Sequence, residues 1–263
     1  MPLSAAHLKR LRSLHTAKGR AAHGCFLIEG EKLIREAIDA GAPIVELLAT
    51  DARAAALPLG DVTTISAKDA ARLSDTRGPQ GCFAVVRDTV PAAADALAAL
   101  PPEGPSTVVA LDGVQDPGNA GALIRLAAAF DAEAVLTGSG TADPVHPRVV
   151  RAATGAWFRI AIARSPGLAA DLRLLSGRGY EIVGAATDGP SVWDEPPAGP
   201  APRRALVLGN EGAGLSPDVA DVINRRVGAP ISSRAESLNV AVAAGIILGV
   251  WSDRRRRSAP TSL

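Results

Sequence analysis

Aromatic side chains are scarce in this 263-residue chain: three Trp, one Tyr and four Phe make up 3% of it. A core of the size this length allows must be filled by small and aliphatic side chains. With 47% hydrophobic residues and 26 glycines, the composition reads as small-residue packing, not disorder. Cysteine is as rare. Cys25 and Cys82 each sit in a Gly-Cys-Phe triplet with no CxxC partner, which excludes a disulfide framework. The reducing cytoplasm is the expected setting. The four His show no metal-ligand spacing, so no metal is expected. A formal net charge of +1 excludes a chain that is basic all over. No apolar core follows the N-terminal charges, as a signal peptide would need. The longest apolar run, "VAVAAGIILGVW", falls short of the roughly 20 residues that span a bilayer, so no membrane partner is expected.

Charge is unevenly spread. Lys9, Arg10, Arg12, Lys18 and Arg20 lie in the first 20 residues with no acidic neighbour, and 254–257 is a run of Arg, read as a solvated tail. Leu8, Leu11 and Leu14 have helical spacing within one basic segment, 5–20. "CFLIEG", "IVELLAT" and "GCFAVVRD" read as strands, with Cys25 and Cys82 as packed strand residues. Helices alternate with them in "EKLIREAIDAG", stopped by Gly41, and "AKDAARLSDT", capped by Ser66. Residues 1–90 thus form a small α/β unit, and 91–106, rich in Ala and Pro, a linker with a helical turn. A second α/β unit spans 107–257, with 258–263 as a tail. Its strands are "TVVALD", "AEAVLTG", "YEIVGAAT", "ALVLGN" and "RRVGAPI"; its helices cover 118–130, 147–156, 167–177, 217–223 and 237–254. Apolar strand runs separated by helices predict a doubly wound parallel sheet. Ligands of such sheets bind at the carboxyl ends of the strands.

Three loops follow strands there. In "GVQDPGNAGALIR", Asn119 can cap the next helix and Arg125 lies six residues on. In "NEGAGLSP", Gly209, Gly212 and Gly214 surround Asn210 and Glu211. No Gly-Lys-Ser/Thr follows, and the spacing is not GxGxxG, so neither a P-loop nor a dinucleotide fingerprint is present. In "ISSRAESLN", Ser233 and Glu236 fit a capping box, while Ser237 and Asn239 flank Leu238 at the mouth of an apolar helix. Each loop alone also fits a plain turn or cap. Three polar loops on sheet ends point to a ligand.

"NAGALIR", "LVLGNEGAGLS" and "ESLNVAVAAGI" resemble, in order and spacing, the three motifs of the SpoU (TrmH) branch of the SPOUT methyltransferases. "KGRAAHGCFLIEGEKLIREAI" and "GCFAVV" resemble that family's L30e-like substrate-binding domain. The resemblance implies an α/β fold: a C-terminal knotted parallel-sheet SPOUT methyltransferase domain behind a smaller N-terminal L30e-like domain. It implies a homodimer, S-adenosylmethionine as donor with S-adenosylhomocysteine as product, and methylation of a ribose 2′-hydroxyl in RNA. An L30e-like first domain goes with ribosomal substrates in the family, so 23S ribosomal RNA is the expected target. The alternatives are a tRNA 2′-O-methyltransferase and a non-catalytic RNA-binding ribosome-assembly protein.

By matching position, Asn119, Arg125, Glu211, Ser237 and Asn239 form the implied catalytic set. Gly209, Asn210, Gly212, Ala229, Ile231 and Leu238 are the implied donor-binding residues. Arg125 is implied to meet the target ribose from the partner subunit. A guanidinium stays charged in ordinary settings, so Arg125 is read as orienting the ribose and stabilising developing negative charge. RNA phosphates are assigned to Lys9, Arg10, Lys18 and Arg20, and to Arg151 of "HPRVVRAATGA". Ser233 stands where the family commonly has Gly, which bears on the path of the donor loop.

Overall fold

Two side-chain caps divide the basic N-terminal segment. The Ser4 side chain accepts the His7 N–H ahead of α1 (Ala5–Ser13), and Thr16 accepts the Gly19 N–H ahead of α2 (Ala17–His23). The basic segment 5–20 therefore holds two helices, with the helically spaced Leu8 and Leu11 on the first and Leu14 at its end. The computed structural model describes residues 3–54, 61–195, 202–232 and 234–258. These form two compact units, Met1–Thr89 with Val145–Arg159, and Val90–Pro144 with Ile160–Leu263.

In the first unit α2 ends at Gly24 in the left-handed region (φ 58). Then follow β1 (Cys25–Glu29), α3 (Glu31–Asp39), β2 (Ile44–Ala49), α4 (Asp51–Ala54), β3 (Val62–Thr64), α5 (Ala67–Leu73) and β4 (Cys82–Arg87). The sheet order is β1-β4-β2-β3, with β4 antiparallel to both neighbours and β3 parallel to β2. Leu8, Leu11 and Leu14 pack against Leu48, Phe83 and Val85, which is why their spacing was legible. Ser66 caps α5, and Cys25 and Cys82 are buried free thiols, as the sequence predicts. Arg20 is a correction. It is 3% exposed, and its Nη1 donates to the Leu14 and His15 carbonyls at 3.2 Å each, closing the α1–α2 corner. It is not offered to a phosphate.

The second unit begins with α6 (Ala93–Ala98), inside the stretch read as a linker. Ala93, Ala96, Leu97 and Leu100 are buried in this unit's core. Then come β5 (Ser106–Asp112), α7 (Pro117–Ala129) and β6 (Ala134–Gly138). Next in sequence, α8 (Pro147–Ala153) and a 3-10 turn at Thr154–Phe158 belong to the first unit. There Trp157 packs on Phe26 with ring centroids 5.1 Å apart, and Arg159 pairs with Glu36 at 2.5 Å. The second unit resumes with β7 (Ala161–Ser165), α9 (Leu168–Gly177), β8 (Glu181–Ala185), β9 (Arg203–Gly209), α10 (Pro217–Ala220), β10 (Arg225–Val227) and α11 (Val240–Ser258). Its sheet is parallel throughout, in the order β10-β8-β9-β5-β6-β7. The doubly wound expectation holds. β7, an edge strand interrupted by Arg164, was not anticipated.

α11 packs on α7 through small residues. A Cβ at Gly245 would lie 3.4 Å from Leu126, and one at Gly249 would lie 3.5 Å from Phe130. The Arg run, read as a solvated tail, is so only at Arg256 and Arg257, which are exposed. It continues α11, where Arg254 donates to the Trp193 carbonyl at 2.8 Å and Arg255 to Asp131 Oδ2 at 3.1 Å. Beside it lies Glu195, whose side chain is 4% exposed. Glu195 accepts the Trp251 Nε1–H at 2.9 Å and pairs with Arg225, with Arg254 at 3.5 Å and with Arg204 at 3.9 Å. The Arg204 guanidinium lies 4.8 Å from the Trp251 ring centroid.

Glu195→Ala removes the shared carboxylate and leaves several guanidinium groups facing one another. Breaking a buried pair costs about 3 kcal/mol or more. The exposed α11 pair Arg257–Asp253 is the control, and its loss should cost no more than about 0.5 kcal/mol. Chemical denaturation of the two variants checks the contrast; equal stabilities would show that Glu195 anchors nothing.

Candidate functional site

The loops after β5 and β9 are tied together by two side chains. Asn210 Oδ1 accepts the backbone N–H groups of Gly212 and Ala213 at 2.9 Å each, and its Nδ2 donates to the Gly113 carbonyl at 2.8 Å. Asp112, at the end of β5, accepts the Ser216 N–H at 2.6 Å and its hydroxyl at 3.2 Å. Gly209 is required where the loop leaves β9, since a Cβ there would lie 2.5 Å from the Gly214 carbonyl carbon. Asn210 was expected to bind the donor. Its side chain is committed to bonds within and between these two loops.

The helix caps differ from those expected. Asp116, not Asn119, caps α7: its Oδ1 accepts the Asn119 N–H at 2.9 Å, and Pro117 takes the first helical position. The Asn119 side chain is thereby free for other partners. α11 begins at Val240, not at 237, and its cap is Asn239, whose Oδ1 accepts the Ala241 N–H at 2.9 Å. The expected capping box is thus not the cap. Glu236 is exposed ahead of the helix, and Ser233 lies outside the described residues.

Freed from capping, Asn119 joins the other two loops. Asn239 Nδ2 donates to Asn119 Oδ1 at 2.9 Å, and Asn119 Nδ2 donates to Glu211 Oε1 at 2.7 Å. One residue from each expected motif therefore belongs to a single hydrogen-bond chain.

Behind this chain lies a cavity of about 650 Å³. Gly209, Asn210, Glu211 and Gly212 line it from the β9 loop, Ala229 and Ile231 from the β10 loop, and Ser237, Leu238 and Asn239 from the entry to α11. Leu208, Ala243 and Ile247 add apolar wall. Its size and its mixture of apolar surface with a few polar groups suit a nucleoside-sized ligand. The loop after β8, with Thr187 and Asp188, and Arg226 of β10 also line it and were missed. The signal was there: "ATDG" follows a strand and falls under the same carboxyl-end rule.

Other expected residues lie elsewhere. Arg125, on the exposed side of α7, does not line the cavity and has no hydrogen-bond or ion-pair partner among the described residues. In the first unit Lys9 and Lys18 are exposed, and Arg10 pairs with Glu46 at 2.6 Å. Arg151 donates to both Asp75 oxygens, at 2.8 and 3.3 Å. Burial pushes the Asp75 carboxyl up, but the hydrogen bond and charge of Arg151 outweigh it and hold the group below its ordinary value. Its contribution to stability is complete above the unfolded pKa and is lost as pH falls through the folded one. Among the described residues no cluster of His, Cys, Asp and Glu could hold a metal, and no helix is long and apolar enough to cross a membrane.

Residues 106–249 match the SpoU rRNA Methylase family, and residues 5–84 match the MRM3-like substrate binding domain. The chain is 34% identical to 23S rRNA (guanosine(2553)-2'-O)-methyltransferase RlmP of Bacillus subtilis, over 92% of its own length and 94% of the relative's. A TrmH-family structure from Porphyromonas gingivalis superposes with a TM-score of 0.83 at 34% identity, covering 98% of this chain and 100% of that one. An AdoMet-bound rRNA methyltransferase from Sinorhizobium meliloti gives 0.82 at 30% identity, covering 98% and 97%.

Asn119→Ala should release Glu211 and Asn239 together. Amide hydrogen exchange is expected to rise at Gly212 and Ala213 and at Ala241, with the β5 amides unchanged. Unaltered exchange in both loops would show that Asn119 does not couple them.

Proposed function

The chain belongs to the SpoU rRNA Methylase family, and from that premise we propose that it methylates a ribose 2′-hydroxyl in RNA, with S-adenosylmethionine as donor and 23S ribosomal RNA as substrate. The observation that carries this reading is the Asn239–Asn119–Glu211 chain at the rim of a nucleoside-sized cavity. When bound, the donor supplies a methyl group already activated on a sulfonium sulfur. Gly209, Gly212, Ala229, Ile231 and Leu238 offer backbone and apolar surface to hold it. Ser237 and the three linked residues orient the ribose hydroxyl. Glu211 keeps Oε2 outside the Asn119 bond and is assigned the departing hydroxyl proton.

Arg125 is assigned to the ribose of the partner subunit's site in a homodimer. Two facts support this: Arg125 is exposed with no partner among the described residues, and Val242 of the apolar helix α11 is 51% exposed. A second copy would cover the apolar side chain and bring Arg125 of one protomer to the cavity of the other. There its fixed charge stabilises developing alkoxide. The MRM3-like first unit is assigned to RNA. Lys9 and Lys18 are exposed and have no ion-pair partner among the described residues, whereas Arg10 and Arg151 must exchange a carboxylate for phosphate. The kinship with a 23S rRNA methyltransferase favours ribosomal over transfer RNA, and a ribosome would place the protein in the cytoplasm.

Tritium from the labelled donor should enter 23S rRNA prepared from a strain lacking this protein, and not tRNA. Label in tRNA alone would reverse the substrate assignment, and label in neither would leave an RNA-binding protein without catalysis. Arg125→Ala should lower transfer by about 100-fold or more, the scale of losing one oriented electrostatic group. Calorimetric affinity for S-adenosylhomocysteine should stay within threefold. Arg125→Lys should not rescue; full activity in Lys would show that charge suffices without the guanidinium fork.

A further inference from the structure

Three charged residues line the cavity: Asp188, Glu211 and Arg226. Glu211 is engaged by Asn119 at 2.7 Å. The other two face each other across a loose gap, with Asp188 Oδ2 3.6 Å from Arg226 Nη1 and side chains 73% and 57% exposed. At that distance neither group is held by a formed hydrogen bond, so both keep capacity for a ligand.

The backbone beneath them is fixed. Arg226 sits opposite Gly184 in the β10–β8 register, and the Ala186 N–H donates to the Val227 carbonyl at 2.9 Å. The Gly228 N–H donates to the Pro190 carbonyl at 2.8 Å. Gly189 and Gly228 have no room for side chains: a Cβ on Gly189 would lie 2.7 Å from the Val227 carbonyl carbon, and one on Gly228 would lie 2.8 Å from the Ala186 oxygen. The turn carrying Asp188 and the strand end carrying Arg226 are thereby locked together, and the two opposite charges stay neighbours.

We propose that Asp188 and Arg226 recognise the amino-acid end of the methyl donor, Asp188 taking the α-ammonium and Arg226 the α-carboxylate. The proposal rests on the donor reading above. A nucleoside carries no such pair of charges, and the apolar walls at Leu208, Ala243 and Ile247 suit it. An amino acid carries one cation and one anion on adjacent atoms, matched by this anion and cation. Each protein charge exchanges its partner for a ligand charge, so no charge is left uncompensated when the ligand enters. The pair belongs to β10 and the loop after β8, whereas Glu211 and Asn119 follow β9 and β5 further along the sheet, and that side of the cavity is assigned to the ribose to be methylated.

Two ligands separate this role from any other. S-adenosylhomocysteine has the zwitterion; 5′-methylthioadenosine has the same thioether nucleoside without it. Calorimetry with both is run on the full chain and on Asp188→Asn and Arg226→Gln. Each substitution should weaken S-adenosylhomocysteine by about three- to fivefold, the upper part of the scale for charge contacts this exposed. Methylthioadenosine should bind all three proteins within twofold. Equal weakening of both ligands would assign the pair to the nucleoside or to the loop's shape and overturn the proposal. Unchanged S-adenosylhomocysteine binding would overturn it as well. If the unsubstituted protein binds neither ligand, the donor reading itself fails and takes the proposal with it.

Discussion

A carboxamide can donate with one end and accept with the other, and the candidate site depends on that at Asn119. Its Nδ2–H holds Glu211 while its Oδ1 receives the Asn239 amide. The partners lie 92 and 120 residues away in sequence, so the bond pair fixes three loops that no local rule could align. Aspartate at this position could not donate to Glu211, and a leucine of similar size could do neither. The cap at Asp116 makes this possible. Because Asp116 satisfies the Asn119 N–H, the Asn119 side chain is not drawn back to its own helix.

The motif residues, the parallel sheet and the carboxyl-end location were legible because each follows from patterns within about ten residues. Caps were not, because both helix starts contain several residues able to cap. Before α7 the deciding signal was Pro117, since Pro favours the first helical position and makes its predecessor the cap. Before α11 no proline marks the choice among Ser233, Ser237 and Asn239. Arg20 illustrates a different limit. Charge patterning registers a cation, but only the Thr16 break turns α2 so that the guanidinium reaches the Leu14 and His15 carbonyls. The grouping of Val145–Arg159 with the first unit rests on contacts such as Trp157 on Phe26, at a separation no periodicity reveals.

α11 explains why a polar cluster abuts an apolar run. Its first residues are wall and cap of the cavity: Asn239 at the cap, Ala243 and Ile247 one and two turns on. In its middle, Gly245 and Gly249 face Leu126 and Phe130 of the α7 segment with little side chain of their own, and at its start Asn239 meets Asn119. A Cβ at either glycine would meet Leu126 or Phe130 at ordinary contact distance, so only a side chain larger than alanine would crowd this crossing.

The far end of the same helix is held by ions rather than by packing alone. Glu195 receives Trp251 and pairs with Arg204, Arg225 and Arg254, so one carboxylate ties α11 to β9 and β10. An apolar contact of similar area would stabilise as well or better. It would also tolerate sliding, because hydrophobic burial has no preferred direction. The indole N–H and the guanidinium forks do have one, and a shift of α11 along its axis would break several of these bonds at once. A helix anchored in register at Trp251 delivers Asn239 to the same place relative to β9, from which Glu211 also projects. The ion cluster at one end of α11 and the amide chain at the other are thus two ends of one positioning device, joined by a rigid apolar rod.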